Sequence, residues 1–312
     1  MDECKRKSMS RKEFLKKSSK GLLTLGLLSG TPSLISCSKG GPNTKTSKYR
    51  MLGRTGLKVS VVGYGASRTM EPTLVKRALD SGMNFLDTGR SYYNGQNEVM
   101  LGKVLSGIRQ EVIIQSKISL RLREQGEELK SAGVSRRIKT MMESSLQESL
   151  KALQTDYVDV MLLHGARSVD LIQHETIMEF FETVKKNGQI RACGFSTHAN
   201  QAEVMKSANQ SGFYDVVMVT FNHKGSYVHM NSGSYSEWDQ PALEIEMEKA
   251  KEHKIGIVAM KTCSAGPYAF EDEEKPSFKS ALKWVANHDT IHTMAAAMGN
   301  IEEIQENVLA MS

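Results

Sequence analysis

The sequence predicts a (β/α)8 TIM barrel, and three features of it support that fold class. Short β-rich runs alternate with amphipathic helical runs from residue 59 to the end of the chain. Eight such runs fit into about 250 residues, the usual size of this barrel. A doubly wound open sheet is the alternative, but the first run, VSVVGYG, has only two of the glycines that its phosphate loop requires. We therefore expect eight parallel strands that close on themselves.

The eight predicted strands are short, apolar and bounded by turn residues, and they span residues 59–65, 84–89, 111–117, 157–164, 190–197, 215–222, 255–261 and 291–298. Apolar side chains recur at helical spacing over residues 135–154, namely Ile138, Met141, Met142, Leu146, Leu150 and Leu153. Residues 175–188 form another such run, and Gly188 suits its C-cap. The final run, from residue 299, leaves space for a short eighth helix. Because no linker interrupts residues 49–312, we predict one barrel domain there.

The N-terminal segment has the layout of an export signal. Basic residues are followed by an apolar stretch and then by small residues. SRKEFLK resembles a twin-arginine signal in which Lys12 replaces the second arginine, and LISC resembles a lipoprotein box that ends at Cys37. We predict an export signal over residues 1–37, a lipidated Cys37 that attaches the protein to the membrane, and a flexible tether over residues 38–48. The protein would then reside on the periplasmic side of the cell envelope, or in the cytoplasm if the signal is not used.

The distribution of charge argues against nucleic-acid binding. The net charge is +6, but residues 1–36 carry eight basic and three acidic residues, so 33 basic and 32 acidic residues remain in the rest of the chain. The predicted barrel therefore has no basic excess for a phosphate backbone. The chain also lacks CxxC and HExxH motifs, so we expect no metal site, and Cys193 and Cys263 should be buried thiols.

Polar residues stand at the ends of three successive predicted strands. Asp87 ends the second strand, Lys117 the third and His164 the fourth, while Tyr92 follows the second strand closely. Catalytic groups of such barrels lie at the C-terminal strand ends, so we expect these side chains to converge. A carboxylate keeps the lysine charged, and the lysine should lower the tyrosine pKa so that the phenol can protonate a carbonyl oxygen. Each residue also has a structural alternative, such as a turn cap or a satisfied core histidine, but four together favour chemistry.

Three stretches resemble the aldo/keto reductase family. GMNFLDTGRSYYNGQNEVMLGKVL is similar to its first signature, SLQESLKALQTDYVDVMLLH to its second, and YRMLGRTGLKVSVVGYGAS to its opening hairpin and strand. The resemblance extends from residue 49 to about residue 310. It implies reduction of a small carbonyl compound, with Tyr92 as general acid and Asp87, Lys117 and His164 as its partners. Tyr93 would line the pocket.

The resemblance also implies an extended nicotinamide dinucleotide, NADP or NAD, bound without a Rossmann fold. Ser196 in GFSTH matches the residue that holds the carboxamide. Phe221 in VTFNH matches the aromatic ring that stacks on the nicotinamide, and Asn222 follows it as in many members. Lys261, before the TCSAG loop, lies where the pyrophosphate usually runs.

Three departures from the family pattern affect the cofactor. Thr197 replaces the asparagine that usually follows the carboxamide serine, and Met218 replaces a glutamine. Glu303 stands where an arginine usually faces the 2′-phosphate of NADP, and a carboxylate repels a phosphate but can bind a ribose diol. The sequence therefore does not decide between NADP and NAD, and NAD or weak binding of either remains open. Glu306 and Asn307 match the pair that contacts adenine.

Three hypotheses about function remain open at this level. The first is an exported carbonyl reductase, and the second is a non-catalytic barrel that serves as an exported binding or sensing module. The third is a Schiff-base enzyme that uses Lys117, although Asp87 would keep that amine protonated. The predicted mouth is polar and partly cationic, which favours an oxygenated or acidic carbonyl substrate; its residues are Ser67, Arg68, Arg90, Tyr93, His198, His223, Lys224 and Trp238.

Overall fold

The computed structural model describes residues 49–123, 126–229 and 232–311. The predicted export signal, the lipidated cysteine and the tether lie outside these residues. The strands are β1 Tyr49–Met51, β2 Lys58–Ser60, β3 Val62–Gly65, β4 Phe85–Asp87, β5 Ile113–Ile118, β6 Val158–Leu163, β7 Ile190–Thr197, β8 Val216–Thr220, β9 Ser226–Val228, β10 Tyr235–Glu237, β11 Gly256–Met260 and β12 Thr293–Ala297. The helices are α1 Pro72–Asp80, α2 Gln96–Val104, α3 Ala132–Leu153, α4 Val169–Ile172, α5 Glu175–Lys186, α6 Gln201–Ser211, α7 Gln240–Glu252, α8 Phe278–Ala286 and α9 Ile301–Leu309.

Eight of the strands form a closed parallel barrel in the order β11-β12-β3-β4-β5-β6-β7-β8. The barrel closes because β8 also pairs with β11, with Gly256 beside Val216 and Met260 beside Thr220. The predicted (β/α)8 barrel is therefore confirmed, and the open-sheet alternative is wrong. The predicted helix over residues 135–154 begins three residues earlier than expected, and Gly188 adopts φ +74° just beyond α5, as a helix stop requires.

The barrel interior is apolar at its base. Alternate strand residues point inward and form one buried cluster, in which Phe85, Val160, Met218 and Val258 pack together. The intervening residues form a second, larger cluster between the barrel and its helices. The antiparallel hairpin β1–β2 closes the base, since Leu52, Leu57 and Val59 belong to the inner cluster. Because apolar side chains fill the base of the barrel, a polar site can form only at the opposite end.

Within the described residues, no helix is both long and apolar enough to span a bilayer. Cys193 is buried, Cys263 is half-buried, and both are free thiols. Burial raises the pKa of Cys193 to about 12 and that of Cys263 to about 11, so neither is a thiolate at neutral pH.

Candidate active site

The four polar residues predicted to converge do so at the C-terminal end of the barrel. Asp87 is the last residue of β4, Lys117 is the penultimate residue of β5, and His164 directly follows β6. Tyr92 opens a 3-10 turn, Tyr92–Gly95, that follows β4. Parallel neighbours end on the same rim, so the alternation of the sequence alone brings three of these side chains together.

Lys117 is the centre of this cluster. Its Nζ donates to Asp87 Oδ1 at 2.5 Å, to the Thr88 carbonyl oxygen at 2.6 Å and to Tyr92 Oη at 3.2 Å. The side chain is 1% exposed, so the ammonium has little contact with water. Burial by itself would lower the pKa of Lys117, but the negative charge of Asp87 and the Tyr92 phenol outweigh it and raise that pKa. The amine is therefore held protonated, which argues against the Schiff-base hypothesis.

Gln115 is a buried neighbour that sequence analysis did not identify. It lies beside Asp87 in the register of β4 and β5, and its Nε2 donates to Asp87 Oδ1 at 2.7 Å. The same carboxylate oxygen thus accepts from Gln115 and from Lys117. Gln115 precedes Lys117 by two residues in a β-strand, so strand alternation could have placed it on the inner face.

A polar network fixes the turn that carries Tyr92. Arg90 forms an ion pair with the buried Glu98 at the start of α2, and its Nε lies 3.3 Å from Glu148 Oε2 on α3. Next to it, Thr88 Oγ1 donates to Asn97 Oδ1 at 2.7 Å. These contacts hold a strained backbone in place, because three consecutive turn residues adopt left-handed φ values: Tyr93, Asn94 and Gly95.

The expected lowering of the Tyr92 pKa is wrong for this structure. Burial raises the pKa of Tyr92, and the Lys117 charge and hydrogen bond oppose that rise without cancelling it. The half-buried phenol is therefore protonated at neutral pH, the state from which it can donate. The sequence could not show this because desolvation depends on the whole fold.

His164 stands edge-on to Tyr92, with ring centroids 6.2 Å apart. Its Nδ1 lies 3.0 Å from Ser119 Oγ and 3.4 Å from Ser91 Oγ. Burial, followed by the charge of Lys117, lowers the pKa of His164 to about 3. The imidazole is therefore neutral near pH 7, and one ring nitrogen can donate to an oxygen placed beside Tyr92.

The structure places three predicted cofactor residues on the rim of the barrel. Ser196 is buried on β7, and its Oγ accepts from the Gly165 backbone N–H at 3.0 Å. Lys261 is half-buried just after β11. Asn222 is buried, and its Nδ2 donates to the carbonyl oxygens of Ser226 at 2.9 Å and Lys261 at 3.2 Å. Asn222 thus joins two rim loops, which is a structural role.

Phe221 does not reach the barrel mouth. Its ring is completely buried, stacked on Trp284 at 5.4 Å between centroids and edge-on to His288 at 4.9 Å. In β8 the inward residues are Val216 and Met218, so Phe221 falls on the outward face, among the helices. The prediction that Phe221 stacks on a nicotinamide ring is therefore wrong for this arrangement.

The predicted adenosine-binding residues lie on α9. Asn300 and Glu303 form a capping box: Asn300 Oδ1 accepts from the Glu303 N–H at 2.8 Å, and Glu303 accepts from the Gly299 N–H at 2.7 Å and from Asn300 Nδ2 at 3.1 Å. Glu306 Oε1 accepts from the Lys279 N–H at 3.3 Å, which links α9 to α8. Asn307 is buried in α9. Glu303 and Glu306 thus both have hydrogen-bond partners within the chain, which the sequence analysis did not predict.

No group of three histidine, cysteine or acidic side chains arranged to bind a metal occurs among the described residues. The Tyr92, Lys117, Asp87 and His164 side chains match a proton donor with its supporting groups.

Comparisons with known proteins agree on one family. The profile of the Aldo/keto reductase family matches residues 65–280, which is more than half of the chain. An uncharacterised oxidoreductase of Bacillus subtilis is 26% identical over 84% of this chain and 90% of its own length. The L-galactose dehydrogenase of Arabidopsis thaliana is 27% identical over 85% of this chain and 88% of its own length.

A solved structure supports the same assignment. The holo form of an aldo-keto reductase from Bacillus halodurans superimposes with a TM-score of 0.66 at 26% identity, covering 85% of this chain and 90% of that one. The chain belongs to the aldo/keto reductase family of oxidoreductases.

Proposed function

We propose that this protein reduces the carbonyl group of a small aldehyde or ketone to an alcohol, with a nicotinamide dinucleotide as the reductant. The observation that carries the proposal is the contact between Lys117 Nζ and Tyr92 Oη at 3.2 Å, with His164 beside the same phenol. This arrangement offers two hydrogen-bond donors to one oxygen atom at the mouth of the barrel. The nicotinamide dinucleotide supplies the hydride when it is bound.

Tyr92 is the proposed proton donor. As negative charge develops on the substrate oxygen, the phenol transfers its proton to that oxygen. The Lys117 ammonium stabilises the resulting tyrosinate, and Asp87 keeps the ammonium charged at 2.5 Å. Burial raises the pKa of the free phenol, so the proton leaves only when an acceptor of rising basicity is in place.

His164 is the proposed orienting donor. Ser119 Oγ lies 3.0 Å from Nδ1, and in the tautomer in which this hydroxyl donates to Nδ1, the imidazole carries its proton on Nε2 and can donate it to the substrate oxygen. A pKa of about 3 keeps the ring neutral over the working pH range. His164 thus fixes the position of the oxygen without competing with Tyr92 as the acid.

The rim of the barrel fits a carboxamide group. Ser196 presents a buried hydroxyl on β7, and Thr220 at the end of β8 has a buried Oγ1 without a hydrogen-bond partner among the described residues. Gln201 Nε2 is likewise buried and without a partner in this part of the chain. These groups can donate to and accept from an amide, so they are the proposed contacts of the nicotinamide carboxamide. They compensate for Thr197 and Met218, which lack the family's amides.

We also propose that NAD is the better of the two cofactors. The Glu303 carboxylate occupies the Gly299 N–H and caps α9, so this helix start already carries a negative charge. A 2′-phosphate at this place would meet that charge, whereas a ribose hydroxyl could donate to it. The preference is tested by fluorescence titration with NADH and NADPH, and replacing Glu303 by Gln should reduce it.

Substitution of Tyr92 by Phe tests the proposed reaction. The change removes only the donating hydroxyl, so carbonyl reduction should fall by about 10²–10⁴-fold while nicotinamide binding is retained. Tyr49→Phe is the matched control, because Tyr49 lies on the β1–β2 hairpin at the opposite end of the barrel and is 37% exposed. Turnover that survives in the Tyr92 variant would exclude Tyr92 as the acid.

We further propose that the chain is exported to the cell envelope and anchored through a lipid on Cys37, as the N-terminal sequence predicts. The dinucleotide would then travel inside the folded barrel. Mass spectrometry of the mature N-terminus in wild type and Cys37→Ala tests this proposal. An unmodified N-terminus at Met1 in the wild type would refute it.

A further inference from the structure

Lys261 carries an ammonium group at the barrel mouth that has no acidic partner among the described residues. Its backbone adopts φ +59°, and its carbonyl oxygen accepts from Asn222 Nδ2 at 3.2 Å. This conformation places Nζ 5.4 Å from the centre of the Tyr227 ring, on the hairpin strand β9. Among the described residues no carboxylate lies within 4 Å of this Nζ, and the face of the Tyr227 ring is the neighbour that the structure shows. Burial lowers the pKa of Lys261, and in the part of the chain that the structure describes no acidic residue opposes that shift.

The surroundings of Lys261 are cationic as well. The His198 ring lies 6.5 Å from the Tyr227 ring, and the charges of both Lys261 and Lys117 act on it. Burial lowers the pKa of His198 to about 4, so its imidazole is neutral near pH 7. The charges that lower this pKa further are those of Lys261, Lys117, Arg167 and His229, and no acidic residue among the described ones contributes. Asp87 already neutralises Lys117. This side of the mouth is therefore left with positive charge.

The nearby polar atoms that have no partner can act as donors. Gln201 Oε1 accepts from the Thr220 N–H at 2.6 Å, which places the amide at the end of β8. Gln201 Nε2, Thr220 Oγ1 and His198 Nδ1 are buried and have no hydrogen-bond partner within the described residues. Buried donors without partners are unfavourable unless an acceptor is supplied. The proposed carboxamide contacts account for Gln201 Nε2 and Thr220 Oγ1, so His198 Nδ1 is the donor that an anionic oxygen group would satisfy.

We propose that Lys261 and His198 bind an anionic oxygen group of the substrate, so that this reductase acts on carbonyl compounds that carry a carboxylate. The proposal rests on the proposed carbonyl reduction at Tyr92. The carboxylate binds beside Lys261 and against the Tyr227 edge, and the carbonyl end of the same molecule reaches Tyr92 and His164. The pyrophosphate of the dinucleotide is also an anionic oxygen group. The experiment therefore has to distinguish a substrate carboxylate from the cofactor's pyrophosphate.

The experiment compares two aldehydes of matched shape, para-carboxybenzaldehyde and para-methylbenzaldehyde, in the full chain loaded with its preferred nucleotide. We expect the wild type to favour the carboxylate by at least about tenfold in kcat/KM, a difference of about 1.4 kcal/mol. Lys261→Met should abolish this preference by raising the KM of the carboxylate substrate alone. Lys206→Met is the matched control, because Lys206 is exposed on α6, outside the predicted mouth, and its loss should change the kcat/KM of neither substrate.

Two equilibrium measurements separate the possible failures. Titration with NADH and NADPH reports on the pyrophosphate: if Lys261→Met weakens nucleotide binding about tenfold and lowers kcat/KM for both aldehydes alike, the anion is the pyrophosphate and the inference is wrong. Calorimetry with para-carboxybenzyl alcohol and para-methylbenzyl alcohol needs no turnover. If the wild type binds the carboxylate alcohol more tightly, loses this preference in Lys261→Met and reduces neither aldehyde, the proposed function is wrong and the anion site is supported. Equal binding of both alcohols, or a wild type that favours the neutral aldehyde, would overturn the anion site.

Discussion

Replacement of Lys117 by Met tests the argument that one buried ammonium organises the site. Methionine fills a similar volume but removes three donated hydrogen bonds, to Asp87, Thr88 and Tyr92. Asp87, which is 2% exposed, is then left with Gln115 as its hydrogen-bonding partner. Removing one member of a buried ion pair typically costs about 3–5 kcal/mol, and we expect a loss of unfolding free energy in that range.

A second substitution distinguishes the orphaned charge from a simple packing defect. In the double variant Lys117→Met with Asp87→Asn, neither position of the buried pair carries a charge, so stability should recover by about 2 kcal/mol relative to the single variant. The assay is urea denaturation followed by circular dichroism. Lys251→Met is the control, because Lys251 forms an exposed pair with Asp289 at 2.6 Å, and no measurable change is expected.

The pH dependence of this loss has a definite sign. Because Asp87 and Tyr92 raise the pKa of Lys117 above 10.5, the stabilisation is fully present below that value and is lost as pH rises through the folded-state pKa. The cost of Lys117→Met should therefore be the same at about pH 6 and about pH 8. A loss below about 1 kcal/mol, or a double variant that is no more stable than the single one, would refute the reasoning.

Three further predictions follow from the structure. Gly95→Ala should destabilise the fold by about 1–3 kcal/mol more than Gly107→Ala in thermal denaturation. Both glycines have φ +84°, but a Cβ at Gly95 would lie 1.6 Å from the Arg90 guanidinium and would displace it from the buried Glu98. At Gly107 no atom of the described residues lies within 4 Å of such a Cβ, and equal losses at the two positions would contradict this prediction. Burial and the nearby Arg50 charge lower the pKa of His292 from 6.5 to about 4. The unfolded chain therefore binds a proton at a higher pH than the folded one, and the free energy of unfolding should fall as pH drops from about 6.5 towards 4. His292→Gln should make this pH dependence weaker in urea denaturation. Phe221→Leu should lower the melting temperature but leave the dinucleotide Kd unchanged; weaker binding would restore a stacking role for Phe221.

Much of the fold and the centre of the site could be predicted from local patterns. Each barrel strand is an apolar run with its own turn residues, and parallel strands end on one rim. That reasoning was sufficient to bring Asp87, Lys117 and His164 together, and the structure confirms that they meet. Gln115 was within reach of the same reasoning, because it lies two residues before Lys117 on the same strand face.

The partners of each side chain could not be predicted in the same way. Phe221 occupies the matching sequence position, yet its ring packs on Trp284 because a shift of one residue moves a strand side chain to the opposite face. Glu303 was expected to face a ribose, yet it caps the helix that carries it. In both cases the sequence supplied the residue type, and the packing of neighbouring helices decided which group it contacts.

By itself, the sequence determined the barrel and the four residues at its mouth, because alternation and strand ends are local properties of the chain. Only the tertiary structure decided the electrostatics of the site. The direction of the Tyr92 pKa shift, the neutral state of His164 and the lack of an acidic partner for Lys261 among the described residues depend on which groups lie nearby and how much water they exclude. Desolvation and charge pairing act between residues far apart in sequence, so they become defined only when the barrel has closed.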